Sequence, residues 1–223
     1  MLELGSKILL SYVIGSIMGS MIMGRLRGGV DIRTMGSGNA GGTNALRTQG
    51  WIFALGVIVV DIGKGIFATA VIPGLELPGA DEQSGNETSA LPLLVAVAVV
   101  VGHVWPVWHR FRGGKGAATL IGTLIVLAPE IVLPAFLIWA WILVLSGYVG
   151  LATMTAGIAA PLYLAMTRLP HDQALFYYSL AMSILMIFSH RANIMRMRDG
   201  TETRNQRLMV FRRSGSNSTD RED

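Results

Sequence analysis

Long blocks of apolar residues, with the charged residues gathered in short segments between them, run through the whole sequence. Of the 223 residues, 52% are hydrophobic and only 14% are charged, whereas soluble domains carry roughly 25% charged residues. A hydrocarbon core about 30 Å thick requires roughly 20 mainly apolar residues in each helix that crosses it. The pattern therefore predicts an all-α, polytopic membrane protein.

Six apolar stretches have the composition of membrane-spanning helices. They lie at residues 8–24, 51–72, 91–108, 117–146, 148–167 and 173–189. In the first stretch, Gly15 and Gly19 have the spacing of a helix-packing motif, which favours close contact with another helix. This stretch has neither a basic segment before it nor a small-residue cleavage site, so we interpret it as a retained first helix and not as a signal peptide.

The stretch 117–146 is long for one crossing and contains Pro129, Glu130 and Pro134. The positive charges decide between one helix and two. Fifteen of the 18 Lys and Arg residues lie in segments 25–50 and 109–116 and after His190, whereas segment 73–90 has four acidic residues and no basic one. Basic loops stay in the cytoplasm, so an even number of crossings must separate residues 116 and 190. We therefore predict two short helices in 117–146, seven spans, an outside N-terminus and a cytoplasmic C-terminus.

Residues 1–202 are expected to form one transmembrane domain. Residues 203–223 are polar and rich in Arg and Ser, which predicts a disordered cytoplasmic tail. The sequence contains no Cys, which excludes disulfides, thiolate metal sites and Cys nucleophiles.

Three segments are too rich in Gly and polar residues to be plain connectors, and the predicted topology places them on one membrane face. They are GSGNAGGTNALR at 36–47, GHVWPVWHRFRGGKGAAT at 102–119 and SHRANIMRMRDGTE at 189–202. Glycine lets backbone N–H groups approach an anion closely, and a Gly-rich loop that leads into a helix presents the positive end of that helix. Arg47 and Lys115 add charges suited to phosphate. The three segments together predict a shared anion-binding site.

Each motif taken alone also has a plain structural interpretation. An SGN or GGKG loop is often a simple turn, the GGKGAAT loop lacks the Walker A spacing, and Lys and Arg in cytoplasmic loops commonly serve as topology anchors. His103, at a helix end, is as consistent with a structural role as with a catalytic one. Asp61 and Lys64, inside the second stretch, are expected to form a mainly structural ion pair. His190 and Asn193 share a helical face, which favours a functional role.

With these residues in view, the chain resembles the bacterial acyl-phosphate:glycerol-3-phosphate acyltransferase family (PlsY). The family's G-S-G-N-x-G-x-T-N-x-x-R motif is matched at 36–47, its G-H-x-x-P and F-x-G-G-K-G-x-A-T motifs at 102–106 and 111–119, its H-x-x-N-I-x-R and G-x-E motifs at 190–196 and 200–202, and its D-x-x-K-G motif at 61–65. The segment SGYVGLAT departs from the family. Gly147 stands where an R-Y-x-S-like motif has Arg, and Gly150 stands where a Ser is common, so no substrate contact is assigned to this segment.

The resemblance implies transfer of a fatty acyl group from acyl phosphate to the first hydroxyl of glycerol-3-phosphate, the first step of phospholipid synthesis. It implies catalytic roles for Ser37, Lys115, His190 and Asn193. The substrate-binding residues that it implies are Gly38, Asn39, Thr43, Asn44, Arg47, His103, Gly113, Gly114 and Gly116. The implied partners are the two substrates, membrane lipid and other phospholipid-synthesis enzymes, without nucleic acid. No metal or nucleotide cofactor is expected, because an acyl phosphate is already activated.

The residues leave the proton acceptor open. The hydroxyl proton can pass to His190 or to the donor's own phosphate, and the lack of an orienting carboxylate near His190 in sequence favours the phosphate. Ser37 is not expected to be a covalent nucleophile, because it lacks the G-x-S-x-G elbow. The expected location is the bacterial cytoplasmic (inner) membrane, with a multi-pass chain and its active site facing the cytoplasm.

The alternative function is a small transporter or channel for an anionic metabolite. Such a protein would also need intramembrane charges and Gly-broken helices. Transporter sites, however, commonly lie near the bilayer midplane between structural repeats. Here the polar segments are predicted at one face, and the sequence has no evident repeat.

Overall fold

The computed structural model of the protein describes residues 2–76, 90–206 and 209. Within these ranges the chain forms α-helices and short 3₁₀ turns and no strand, which confirms the all-α prediction. The helices are α1 (Leu2–Gly15), α2 (Gly19–Leu26), α3 (Gly42–Gln49), α4 (Trp51–Val71), α5 (Leu91–Val104), α6 (Ala117–Leu127), α7 (Pro129–Ser146), α8 (Val149–Thr167), α9 (Gln173–Ser189) and α10 (Arg191–Arg198).

The apolar stretches correspond to these helices. In the described ranges, four helical segments are long and apolar enough to cross a membrane, and the number reaches six if each of two bent pairs forms one span. The stretch 117–146 divides into α6 and α7, as predicted, because the chain turns at Ala128 and Pro129 starts the second helix. With 11 residues, α6 is shorter than an ordinary span. Seven spans and the orientation of the termini therefore stay predictions.

The first stretch is not one straight helix, because α1 and α2 meet at a bend of 43°. Both sides of the bend pack tightly on neighbouring helices through glycine. A Cβ on Gly15 would lie 2.2 Å from the carbonyl oxygen of Val99, and one on Gly19 would lie 2.6 Å from that of Val57. Since neither backbone contact leaves room for a side chain, the small-residue face predicted from the sequence is a helix-packing face.

Two glycines also bring α4 and α6 together. A Cβ on Gly65 would lie 2.4 Å from the carbonyl oxygen of Thr119, and one on Gly122 would lie 2.2 Å from that of Ile62. Helix α6 therefore lies directly against α4, and this contact fixes the position of its N-terminus. On the other side, α7, α8 and α9 pack in sequence order and close the bundle.

The start of the C-terminal segment packs on the turn between α7 and α8. The Asn205 N–H donates to the carbonyl oxygen of Gly147 at 2.8 Å, and the Arg204 guanidinium lies 4.6 Å from the ring centre of Tyr148. The predicted disordered tail, residues 203–223, falls mostly outside the described residues, and its disorder stays a prediction.

Candidate active site

A cavity of about 240 Å³ lies where the three Gly-rich segments meet. Ten of the residues predicted for the site line it, namely Ser37, Asn39, Thr43, Asn44, Arg47, His103, Lys115, Gly116, His190 and Asn193. The other three, Gly38, Gly113 and Gly114, belong to the same loops but do not line the cavity. The structure thus brings together residues that lie up to 156 positions apart in the sequence.

The loop that contains Ser37 is folded around the side chain of Asn44. Its Nδ2 lies 2.8 Å from the carbonyl oxygen of Ile32 and 2.9 Å from that of Asn39, and its Oδ1 accepts the Ser37 N–H at 2.9 Å. Asn44 is buried in this role. Its amide is therefore engaged by the backbone, and its contribution to the cavity is the shape of the loop.

Two helices begin at the wall of the cavity. Gly42 and Thr43 form the first turn of α3, and Ala117 and Ala118 form that of α6; all four line the cavity. The first turn of a helix leaves N–H groups without acceptors inside the helix and carries a partial positive charge. The prediction that both Gly-rich loops lead into helix N-termini is confirmed, and the two N-termini open on the same space.

Lys115, in the loop outside the spans, lines the cavity together with a second cation, Arg47. Its ammonium donates to Oδ1 of Asn193, and its carbonyl oxygen accepts from the Ser189 hydroxyl at 3.0 Å. Burial lowers the pKa of Lys115 to about 8, with the nearby charges of Arg196 and Arg47 acting in the same direction. Lys115 is therefore a cation that the cavity leaves poorly hydrated, a state in which an anion binds it strongly.

Asn193 is held from its other side by a carboxylate that the sequence did not identify as a site residue. Its Nδ2 donates to Glu202 Oε1 at 2.7 Å, and the other oxygen of Glu202 accepts from Arg196 Nε at 2.6 Å. Glu202 also lines the cavity. Its place in the G-x-E motif was the signal that could have identified it.

His190, directly after α9, has a defined tautomer. Its Nδ1 lies 2.8 Å from the carbonyl oxygen of Met186, and a carbonyl only accepts, so Nδ1 carries the proton and Nε2 is an acceptor. Burial, together with the charge of Lys115, lowers the pKa of His190 to about 4. At neutral pH the ring is therefore uncharged and can accept a hydrogen bond.

At the wall of the cavity, which Asp61 lines, Asp61 and Lys64 form the predicted ion pair, with Nζ and Oδ1 3.2 Å apart. His103 joins them, its Nδ1 lying 2.9 Å from Lys64 Nζ. The ion pair is confirmed, and the structure adds a histidine that the cavity and the ion pair share.

The remaining wall comes from helices to which the sequence assigned no site residue. Segment SGYVGLAT contributes Val149, Gly150 and Thr153, and a Cβ on Gly150 would lie 3.0 Å from Asn193 Nδ2. Apolar or aromatic side chains complete the wall: Ile58, Ile62, Ile121 and Trp139. Nothing in the sequence distinguishes these four from ordinary residues of an apolar helix. The cavity thus has one polar, cationic end and one apolar side.

Comparisons with known proteins agree on one family. The sequence profile described as glycerol-3-phosphate acyltransferase matches residues 6–200. The glycerol-3-phosphate acyltransferase of Chlorobium luteolum is 37% identical over 231 residues, covering 92% of this chain and 97% of that protein. That of Chlorobaculum tepidum is 38% identical over 219 residues, covering 88% and 94%.

Solved structures give the same result. Crystal structures of PlsY, an integral membrane glycerol 3-phosphate acyltransferase, share 32% identity with this chain, in a glycerol 3-phosphate form with TM-score 0.78 and a lysophosphatidic acid form with TM-score 0.77. Each alignment covers 90% of this chain and 94% of the other.

Proposed function

The chain belongs to the glycerol-3-phosphate acyltransferase family, and on that premise we propose that it transfers a fatty acyl group from an acyl phosphate to the first hydroxyl of glycerol-3-phosphate. The products are 1-acyl lysophosphatidate and phosphate. One observation carries the proposal: Lys115, Arg47 and two helix N-termini meet in a cavity whose other side is apolar. Both substrates carry phosphate, and the donor also carries a hydrocarbon chain.

In the proposed reaction, the acceptor hydroxyl oxygen attacks the acyl carbonyl carbon, and the bond from that carbon to the phosphate oxygen breaks. Negative charge moves onto the departing phosphate. Lys115 and the α3 and α6 N-termini stabilise that charge, and Ser37 and Arg47 hold the donor phosphate. A charge held in a poorly hydrated cavity is stabilised more strongly than the same charge in water.

The hydroxyl proton passes to the departing phosphate in this proposal. His190, with a pKa lowered to about 4, is a weak base at neutral pH, whereas the second pKa of a phosphoryl group is about 6. The unprotonated Nε2 of His190 accepts a hydrogen bond from the second hydroxyl of glycerol-3-phosphate and orients the acceptor, which leaves the single proton of the first hydroxyl to pass to the phosphate. Asn193, between Lys115 and Glu202, holds the acceptor in register with the donor.

We place this chemistry at the cytoplasmic face of the bacterial inner membrane, in a seven-span chain with its N-terminus outside. The concentration of Lys and Arg in the three segments that form the site supports this orientation. The acyl chain of the donor lies along the apolar side of the cavity, and glycerol-3-phosphate enters from the cytosol.

The test is product formation by the purified protein in detergent with palmitoyl phosphate and labelled glycerol-3-phosphate. We expect lysophosphatidate and phosphate in equal amounts, and no product with palmitoyl-CoA. Equal rates with palmitoyl-CoA would refute the acyl-phosphate donor. If neither donor gave product, and liposomes containing the protein took up an anionic metabolite, the transporter alternative would replace the proposed function.

A further inference from the structure

A cluster of three polar side chains, Asp61, Lys64 and His103, lies directly behind the loop that carries Lys115. All three are enclosed, with exposed fractions of 2%, 6% and 3%. Charged groups inside a membrane protein are costly and commonly functional. Mutual neutralisation of Asp61 and Lys64 accounts for their pairing, but it does not account for the histidine beside them.

The Lys64 ammonium has four close acceptors for its three protons. Nζ donates to the carbonyl oxygens of Gly15 at 2.7 Å and Ile17 at 2.6 Å, and it lies 2.9 Å from His103 Nδ1 and 3.2 Å from Asp61 Oδ1. His103 Nδ1 also lies 3.5 Å from Asp61 Oδ1. The ion pair therefore holds the His103 ring at its Nδ1 edge.

The same ion pair satisfies the backbone at the bend of the first span. Lys64 binds carbonyls at the end of α1, and Asp61 Oδ1 accepts the Gly19 N–H at the start of α2, at 3.2 Å. A cation at the carbonyl end and an anion at the amide end of a helix match the partial charges there. The cluster is thus anchored in α2, α4 and α5 and at the end of α1. These contacts hold His103 in one position.

Loop 113–116 rests on His103. The Gly114 N–H donates to the carbonyl oxygen of His103 at 3.1 Å, and the Gly113 N–H donates to that of Val104 at 3.2 Å. The ring faces Gly114 so closely that a Cβ on this glycine would lie 2.1 Å from His103 Nε2. The next residue is Lys115, so the position of the ring sets how far Lys115 lies inside the cavity.

We propose that Asp61, Lys64 and His103 are positioning residues, which hold loop 113–116 at the depth where Lys115 reaches the phosphate of the donor. This role rests on the proposed acyltransfer function, in which Lys115 stabilises the departing phosphate, and the three residues set the position of Lys115. Asp61 and His103 also line the cavity, so a fall in kcat without a change in the titration of Lys115 would assign them to substrate contact and overturn the proposal.

The protonation of Lys115 reports the position of this loop. Burial is the largest cause of its lowered pKa, so a loop that moves towards water should raise that pKa. The charged and titratable groups near Lys115 are Arg47 in α3, His190 after α9, Arg196 in α10 and Glu202, and Asp61 in α4 and His103 in α5 line the same cavity. The first four remain in the variants below, and Asp61 and Lys64 are removed together as a neutral pair, so a change in the pKa of Lys115 reflects the loop.

The decisive variant is Asp61→Asn with Lys64→Gln, which removes both charges at once, because one charge left alone in the interior is strongly destabilising. We expect a folded protein whose kcat falls on the order of tenfold to a hundredfold, as for a misplaced catalytic group. The pKa of Lys115 should rise from about 8 towards the ordinary value near 10.4. Amine labelling against pH, read by mass spectrometry, measures it, since the sequence has only three lysines.

A matched control exists at the other end of the first span. Lys7, with 1% exposure, pairs with Glu3 at 2.7 Å. Glu3→Gln with Lys7→Gln should lower stability yet leave kcat per folded molecule and the titration of Lys115 unchanged. If the Asp61–Lys64 variant behaved like this control, the cluster would be structural only and the proposal overturned.

Misfolding of the double variant and absence of acyl transfer by the wild-type protein are two further outcomes, and each can be told apart from failure of the positioning role. If the Asp61–Lys64 variant does not fold, His103→Ala, which keeps both charges, decides by the same two readouts; a wild-type kcat and Lys115 titration in it overturn the proposal. If the wild-type protein transfers no acyl group, the proposed function fails. The labelling of Lys115, which needs no turnover, still tests whether the cluster positions the loop.

Discussion

Lys115 combines a single positive charge with glycines on both sides, and its ammonium is held by Asn193. We expect Lys115→Ala to lower kcat by about 10²–10³-fold, the range for removing one group that stabilises the charge of a transition state, while the protein stays folded and inserted. Lys115→Arg is the matched control, which keeps the charge and changes the geometry. An alanine variant within about fivefold of wild type, well under the factor set by a charged hydrogen bond, would remove Lys115 from the site.

The pKa of Lys115 also predicts a pH dependence. Because that pKa is lowered to about 8, the charged form is complete well below pH 8 and is lost as the pH rises through this value. The kcat/KM for the donor should therefore fall on the alkaline side with a midpoint near 8, because kcat/KM reports the groups of the free enzyme. A pH profile with the donor well below saturation measures it. In Lys115→Arg this alkaline decrease should disappear, since Arg keeps its proton; its persistence there would assign it to another group.

At this scale the sequence identified most polar residues of the site but not what each one does. Motif spacing placed Ser37, Arg47 and Lys115 in one site, because a phosphate-binding Gly-rich loop can be recognised from a short stretch of sequence. The use of the Asn44 amide to fold its own loop depends on carbonyls at Ile32 and Asn39, and the spacing does not show it. The apolar wall could not be predicted either, since an isoleucine facing a cavity has no local signature.

At the scale of elements, charge distribution predicted what hydropathy alone could not. The division of 117–146 into α6 and α7 followed from the requirement that the basic segments share a membrane face. The bend between α1 and α2 was missed, because residues 15–18 are apolar or small. The carbonyl oxygens of Gly15 and Ile17 find their donor in Lys64, 49 positions from Gly15. A bend of this kind is specified by the partner and not by the residues that bend.

The C-terminal segment is an element whose docking can be tested through Gly147. This glycine has φ +73°, and a Cβ there would lie 2.8 Å from Met209 Sδ and 3.4 Å from Arg204 Cβ. We expect Gly147→Ala to displace the segment, because alanine in this conformation costs roughly 1–2 kcal/mol and its methyl group would occupy the docking position. Trypsin should then cut the Arg204–Asn205 bond faster than in wild type, as mass spectrometry can measure.

The control for this substitution is Gly28→Ala. Gly28 has φ +82°, and nothing lies within 4 Å of its added Cβ, so it reproduces the backbone strain without the contact. We expect its tryptic cleavage at Arg204 to match wild type. If Gly147→Ala also cleaved at the wild-type rate, the segment would not be held by the α7–α8 turn.

For the whole molecule, the contact between Lys115 and Asn193 constrains the topology. Two residues that share a cavity at one face must be separated by an even number of crossings. Helices α7, α8 and α9 lie between them, together with α6. If α7, α8 and α9 each cross, α6 must cross as well despite its 11 residues. This parity supports seven spans independently of the positive-inside argument.

The side of the membrane from which introduced cysteines can be labelled tests this parity directly. Single cysteines replacing Ser37, Lys115 and Ser214 should react with an impermeant thiol reagent only from the cytoplasm, and one replacing Ser84 only from outside; Ser84 and Ser214 lie outside the described residues. The chain contains no Cys, so every label reports the introduced site.

His171, exposed in the turn between α8 and α9, gives the sharpest reading of the same experiment. With α6 as a crossing, three helices separate Lys115 from His171, so His171→Cys should label only from outside. With α6 as a re-entrant element, two helices separate them, and His171→Cys would label from the cytoplasm together with Lys115→Cys. That second result would leave Asn193, one helix further on, facing the outside. The cavity could not then be a single site, and the result would refute both the seven-span topology and the proposed active site.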